Sequence, residues 1–394
     1  MDIALDDIRV LDLTESFWGR AAAAMLGDFG ADVVRIDVPG CSEPQPQDAD
    51  WNYIAAYTGR NKRSIALDPG SDEGRAIAAR LAGSVDVVLT DRSRSELSGW
   101  GLDYDSVTAA RSDIIYARGS GFGPNGPDAD LPAIDELAAA RTGMMPILPQ
   151  PDQPPLYGAH GQMYTSVFLL FGITVALFHR RRTGEGQQID SSLLAGNMYG
   201  ASLDLQAYLA IGGERMLQPV SRLDAGNPMS GVLYPSSDGL WIALTMPDTD
   251  RWWPMLAEVA GLDVADERFD THDKRCGDHR LALIEALDAA FRKQPAAHWR
   301  GEFTERQMSA DVIEDYTYPA DDDAARANRY ILDTTRADAG EVSTLGFPIW
   351  MSDTPAEVRR EAPQAGADSD EILRDVAGMA DDEIAGLRAR GVVS

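Results

Sequence analysis

Two hydrophobic rhythms alternate through the first 125 or so residues, and their alternation sets the fold expectation. Short apolar runs, IRVLDL and ADVVRID, flank AAAAMLGDFG, whose apolar residues recur at helical spacing, so the opening reads as strand, crossover helix, strand. A Pro- and Asp-rich loop, PGCSEPQPQDAD, leads to the short strand KRSIALD. SDEGRAIAARLAGS begins with a Ser/Asp cap and reads as a helix. VDVVLTD then predicts a strand, DYDSVTAARS a helix, and DIIYARGSGFG a strand ending in glycines. Strands alternating with helices predict an α/β fold, a parallel, doubly wound Rossmann-like sheet covered on both faces.

From Gln162 to about Gly212 the chain is mostly apolar and predicts two or three long helices, broken by the polar turn RRRTGEGQQ. SGVLYPSSDGLWIALTM predicts a β-hairpin around SSDG. DTDRWWPMLAEVAGL and HRLALIEALDAAFRKQPAAHWRGEF predict helices, so residues 225–325 read as a smaller α+β domain beside a large one at 1–224, to which 326–394 returns. GFPIWMS reads as a strand and DEILRDVAGMADDEIAGLRARG as helical.

Composition narrows the function. The 394 residues carry 63 Asp+Glu against 35 Lys+Arg, a formal charge of −28, the wrong sign for nucleic acid or an anionic membrane surface. A polyanionic ligand would need a local cluster of cations. The two cysteines, Cys41 and Cys276, read as unpaired thiols with no metal-ligand spacing around them, as expected of a cytoplasmic protein. The acidic start MDIALDDIRVLDL is not a signal peptide. The most apolar stretch, Met163 to Phe178, falls short of the roughly 20 residues of a bilayer crossing and reads as a buried helix.

Six segments, in order, carry a family resemblance: RVLDLTESFWGRAAAAMLGDFGADVVRID, GRNKRSIALD with SDEGR, IIYARGSGFGPNGPDADLPAID, FGITVALFHRRRTGEGQQIDSSLL, GNPMSGVLYPSSDGLWIAL and SDTPAEVRREAPQAGADSDEIL. Together they resemble the family III CoA-transferases, which include formyl-CoA transferase, carnitine CoA-transferase and α-methylacyl-CoA racemase. The resemblance implies an interlocked homodimer, with each active site built between the large lobe of one chain and the small lobe of the other. It also implies CoA or an acyl-CoA as substrate, a carboxylic acid as co-substrate, and no metal.

In the family's transferases an aspartate attacks the donor thioester and becomes the acyl and then the CoA carrier. Counting back from Gly172-Ile173 and the RRRTGEGQ turn, that position is Gln162, and no Asp or Glu occurs between Leu156 and Met163. A primary amide is not a usable nucleophile at neutral pH, although it offers a donor and an acceptor to a ligand carbonyl. The racemase pair is missing too: its His position falls near Ile134 and its Asp near Gly161. The remaining catalytic candidates are Asp135, which matches an acidic position close to the family nucleophile, its neighbour Glu136, and His160.

The expected CoA cradle is mixed. Val38 and Pro132 stand where the family commonly places Arg and Lys, and Asp91-Arg92 stand where it has Asn-Phe at the adenine side. Arg60, Asn61, Lys62, Arg63, Arg92 and Arg94 are the candidate partners of the ADP phosphates, with solvated surface as the alternative role. Phe17 and Asp91 complete the cofactor-binding set. Three functions stay open: an acyl-CoA enzyme with altered chemistry, a catalytically silent subunit paired with an aspartate-bearing paralogue, or the fold reused on a substrate without CoA.

Overall fold

A computed structural model describes residues 3–40, 46–47, 49–212, 218–336 and 338–393, so Cys41 lies outside the described residues. The chain divides into two compact units, one of Met1–Met145, Tyr157–Gly212 and Ala327–Ser394, the other of Pro146–Leu156 and Gly213–Arg326.

In the first unit the strands are β1 (Arg9–Asp12), β2 (Asp32–Asp37), β3 (Lys62–Ala66), β4 (Val87–Thr90), β5 (Ile115–Ser120) and β6 (Gln187–Ser192). They form one parallel sheet in the order β3-β2-β1-β4-β5-β6, the doubly wound arrangement whose crossover direction reverses between β1 and β4. The helices up to β6 are α1 (Phe17–Asp28), α2 (Tyr53–Gly59), α3 (Asp72–Ala82), α4 (Arg94–Trp100), α5 (Tyr104–Ala110), α6 (Asp135–Ala139), α7 (Met144–Ile147) and α8 (Gly161–Thr183). After β6 follow α9 (Leu193–Gly200) and α10 (Ser202–Ile211).

Because successive strand residues point to opposite faces, each strand feeds two cores. Val10, Val33, Leu89 and Ala117 pack with α1 and α8 on one face. Leu11, Val34, Val88 and Tyr116 pack with α3, α4, α5 and the C-terminal helices on the other.

The second unit holds a three-stranded antiparallel sheet of β7 (Ser230–Pro235), β8 (Trp241–Thr245) and β9 (Ala310–Ile313). Its helices are α11 (Thr249–Ala260), α12 (His272–Cys276), α13 (Arg280–Phe291), α14 (Ala296–Glu305), α15 (Thr317–Asp321) and α16 (Asp323–Ala327). Its core is centred on Tyr234, Trp253, Phe291 and Trp299. The chain then forms a hairpin, β10 (Ile331–Arg336) with β11 (Gly340–Leu345), and ends in α17 (Ser369–Asp375) and α18 (Asp381–Ala389).

Three expectations are corrected. Gln187 and Gln188, read as the end of the polar turn RRRTGEGQQ, open the edge strand β6, which pairs with β5 from Ile115↔Gln187 to Ser120↔Ser192. GFPIWMS forms no strand; the hairpin lies before it, in a segment too polar to stand out. The apolar helix α8 is longer than expected, long and apolar enough to cross a bilayer, and only one of its sides is buried. Leu169, Ile173 and Ala176 pack against the sheet, whereas Phe171 and Phe178 are 67% and 64% exposed.

Candidate active site

Gln162 sits in the first turn of α8, and the neighbouring groups are held there by a closed set of hydrogen bonds. The buried Asp135, at the start of α6, accepts the Gln162 backbone N–H at Oδ2 (3.0 Å) and the Asn197 side-chain amide at Oδ1 (2.7 Å). Asn197, buried on α9, accepts the N–H groups of His160 (3.2 Å) and Gly161 (3.1 Å). A helix start leaves its first N–H groups without partners inside the helix, and here an amide meets that of Gly161 and a carboxylate that of Gln162. The Met163 N–H and the Gln162 side-chain amide have no hydrogen-bond partner among the described residues. Ser166, one turn on, donates to Trp18 O (2.8 Å), which ties this helix to the first turn of α1. Glu136 is half-buried, and His160 is exposed.

The Asp135–Gln162–His160 grouping is therefore real in space, with Asn197 added to it. Sequence reading did not point to Asn197, because its contacts reach across 36 to 62 residues of chain.

The second candidate region is the crevice at the carboxyl ends of β1 and β4, where open α/β sheets receive ligands. Asp91 fills the head of α1: its carboxylate accepts the N–H groups of Glu15 (2.8 Å) and Ser16 (2.9 Å) and the Ser16 hydroxyl, which in turn accepts the Gly19 N–H. A Cβ on Gly19 would lie 2.5 Å from Asp91 Oδ2, so this approach of carboxylate to helix needs glycine there. Burial raises the Asp91 pKa above the ordinary carboxylate value, against the pull of Ser16 and the Glu15 N–H. Phe17 is half-buried and stacks on Tyr57, with ring centroids 5.9 Å apart.

The candidate phosphate-binding cations are mostly neutralised from within, and the expectation that they otherwise lie on solvated surface is corrected. Arg60 is buried against Asp28 (2.7 Å) and Leu345 O (2.7 Å), beneath the ring of Phe347. Asn61 donates to Asp28 (2.8 Å) and Glu357 O (2.7 Å). Lys62 is wholly buried with Asp12 (2.7 Å); burial and the nearby Arg35 and Arg20 push it down to about 8, although Asp12 opposes them. Asp12, which burial alone would raise, is held below the ordinary range by Lys62. Arg63 pairs with Asp32 (2.7 Å) and Glu371 (3.0 Å). Arg92 pairs with Glu96 (2.6 Å) and Glu15 (2.8 Å) and lies over Trp100. Arg94 alone of this set is exposed, 3.8 Å from Asp130.

No group of three metal-ligating side chains occurs among the described residues.

Comparison with known proteins agrees with this architecture. The sequence matches the family model "CoA-transferase family III" over residues 5–369. Succinyl-CoA–D-citramalate CoA-transferase of Chloroflexus aurantiacus is 29% identical, across 99% of this chain and 98% of that protein. Succinate–glutarate CoA-transferase of Agrobacterium fabrum is also 29% identical, across 94% and 95%. Among solved structures, a CAIB/BAIF family protein from Brucella suis superposes with a TM-score of 0.82 at 25% identity, covering 95% of this chain and 100% of that one. With the doubly wound sheet and a match spanning both units, the chain belongs to CoA-transferase family III.

Proposed function

We propose that this protein transfers CoA between a thioester and a carboxylic acid without forming a covalent intermediate on residue 162. The observation that carries the proposal is the neutral, unpartnered amide of Gln162 at the head of α8, beside a carboxylate, Asp135, whose two oxygens are both already engaged. The related enzymes are named for succinyl-CoA, succinate and glutarate, which supports a thioester and a carboxylate as the two substrates.

In this scheme the acceptor carboxylate attacks the thioester carbonyl directly. The C–S bond breaks, and the CoA thiolate leaves as a mixed anhydride of the two acids forms. The thiolate then attacks the acceptor's carbonyl carbon, and the donor acid departs. Atoms and charge balance without an enzyme nucleophile. The Gln162 amide and the Met163 N–H supply donors for the oxyanion of each step, a role for which polar groups fixed in advance are well suited. His160, exposed beside them, stays in contact with water and is not required by the scheme.

The partner we propose is a second copy of the chain, in the interlocked arrangement the family implies, acting in the cytoplasm. An aspartate-bearing paralogue would serve the same apolar surface, and the silent-subunit reading would then hold. Two measurements test the transfer proposal. Initial rates with succinyl-CoA and a varied acceptor should give intersecting lines, and intact mass after incubation with succinyl-CoA should show no adduct. Gln162→Asp should then gain a covalent CoA adduct. An adduct on the native chain, or parallel rate lines, would overturn the direct scheme; the absence of any thermal shift with CoA or succinyl-CoA would overturn the substrate class.

A further inference from the structure

Every polar valence of the Asn197 side chain is in use. Its Oδ1 accepts two backbone N–H groups, those of His160 and Gly161, at 3.2 and 3.1 Å. Its Nδ2 donates to Asp135 Oδ1 at 2.7 Å and to Leu193 O at 2.9 Å. The network fixes the amide's orientation, because a flipped group would set its NH₂ against two N–H donors and its oxygen against two acceptors. Gly161 completes the fit: a Cβ there would fall onto Asn197 Nδ2 and Asp135 Oδ1, and 2.7 Å from Leu193 O.

No other side chain satisfies this set. Aspartate would oppose a second carboxylate to Asp135, and an apolar residue would leave Asp135 Oδ1 and the N–H groups of His160 and Gly161 without this partner. The consequence reaches the chemistry. Asp135 receives two N–H donors, one on each oxygen, and these fix its carboxylate against the start of α8. Glu136 lies next to Asp135 on α6, and α8 and α9 bring no acidic residue in their first turns.

We infer that Asn197 is a positioning residue: it locks Asp135 as a spectator carboxylate and pins the start of α8, so that the reacting thioester meets the Gln162 amide and not a free acid. Its effect on turnover rests on the direct-transfer reading; the lock itself does not. A neutral residue at 162 and a carboxylate at 135 with both oxygens occupied belong together, because neither offers a free nucleophile to the thioester.

The test uses Asn197→Asp and Asn197→Ala in the full chain, with thermal melts and steady-state rates measured side by side. Aspartate keeps acceptors for the start of α8 and loses the donors to Asp135 and Leu193 O, whereas alanine loses all four bonds. Both variants should melt below the native chain, and a melting temperature equal to native in both overturns the inference. If the Asp variant does not fold, the Ala variant carries the same test. Turnover with succinyl-CoA should drop roughly tenfold to a hundredfold in Asn197→Ala, mainly in kcat. Unchanged kcat would remove the catalytic part of the inference. Absence of turnover in the native chain would remove the transfer reading, while the melts still decide the lock.

Discussion

Asp91 brings a charge into the crevice between β1 and β4 and spends it on the chain's own helix. Its oxygens take up the N–H groups at the head of α1, which is where an anionic ligand would otherwise find its donors. Because burial raises its pKa in the fold, the folded state holds the proton to higher pH than the unfolded chain does. The linkage then gives no penalty below the unfolded value; stability falls as pH rises through the raised pKa and stays lowered above it. Asparagine removes the charge but offers one acceptor in place of two, setting its NH₂ against a backbone N–H. Asp91→Asn should therefore gain in melting temperature relative to native as pH rises from about 4 to about 7, whatever its constant offset. A difference that is flat or falls with pH would show that the charge itself holds the crevice. At this scale much of the site was legible: the count that placed Gln162 in the family's nucleophile position put it in the first turn of α8, beside Asp135. What the sequence could not disclose is which cations are spent. Arg60, Lys62 and Arg92 look alike as letters, and their acidic partners Asp28, Asp12 and Glu96 lie 32, 50 and 4 residues away.

Helix α8 shows how an element can break a local rule for a reason beyond itself. Glycine at its first position, Gly161, costs about 1 kcal/mol relative to alanine by propensity alone. Tertiary packing reverses the preference, because the Asn197–Asp135 clamp and Leu193 O leave no volume for a methyl group. Overpacking of this kind costs about 1–3 kcal/mol, so it should win. Gly161→Ala should lower the urea midpoint and weaken CoA-dependent stabilisation together; a more stable variant would mean that the clamp yields easily. The strands of the first half could be read because a parallel sheet covered on both faces demands unbroken apolar runs. The start of strand β6 was read as turn for the converse reason: it is an edge strand with polar residues, Gln187, Gln188, Asp190 and Ser191, and it takes its place by pairing with β5. The hairpin of β10 and β11 was missed likewise, since Asp333, Thr335, Glu341 and Ser343 face solvent and dilute the alternation.

The whole molecule sets an apolar surface against a large negative charge. Val167, Phe171, Val175 and Phe178 form a stripe along the open side of α8, and α10 has no buried residue although Leu203, Leu209 and Ile211 are among its side chains. Isolated exposed leucines are ordinary, but a run on two successive helices is the kind of patch that marks an interface. A second copy would cover it, and two chains of formal charge −28 would then be brought together. Their repulsion is long-range and screened by salt, whereas burial of the apolar helices is not weakened by it. The dimer should therefore tighten as sodium chloride rises from about 20 mM to about 200 mM, the opposite of an assembly held by ion pairs across its interface. Light scattering coupled to size-exclusion chromatography should give twice the 42.7 kDa chain mass, with any monomer appearing first at the low-salt end. Phe171→Glu adds a charge to the stripe and should shift the population toward monomer most strongly in low salt. A particle of single-chain mass at every salt concentration would sink the proposed assembly, and a dimer that loosens with added salt would assign its stability to ion pairs rather than to the faces of α8 and α10.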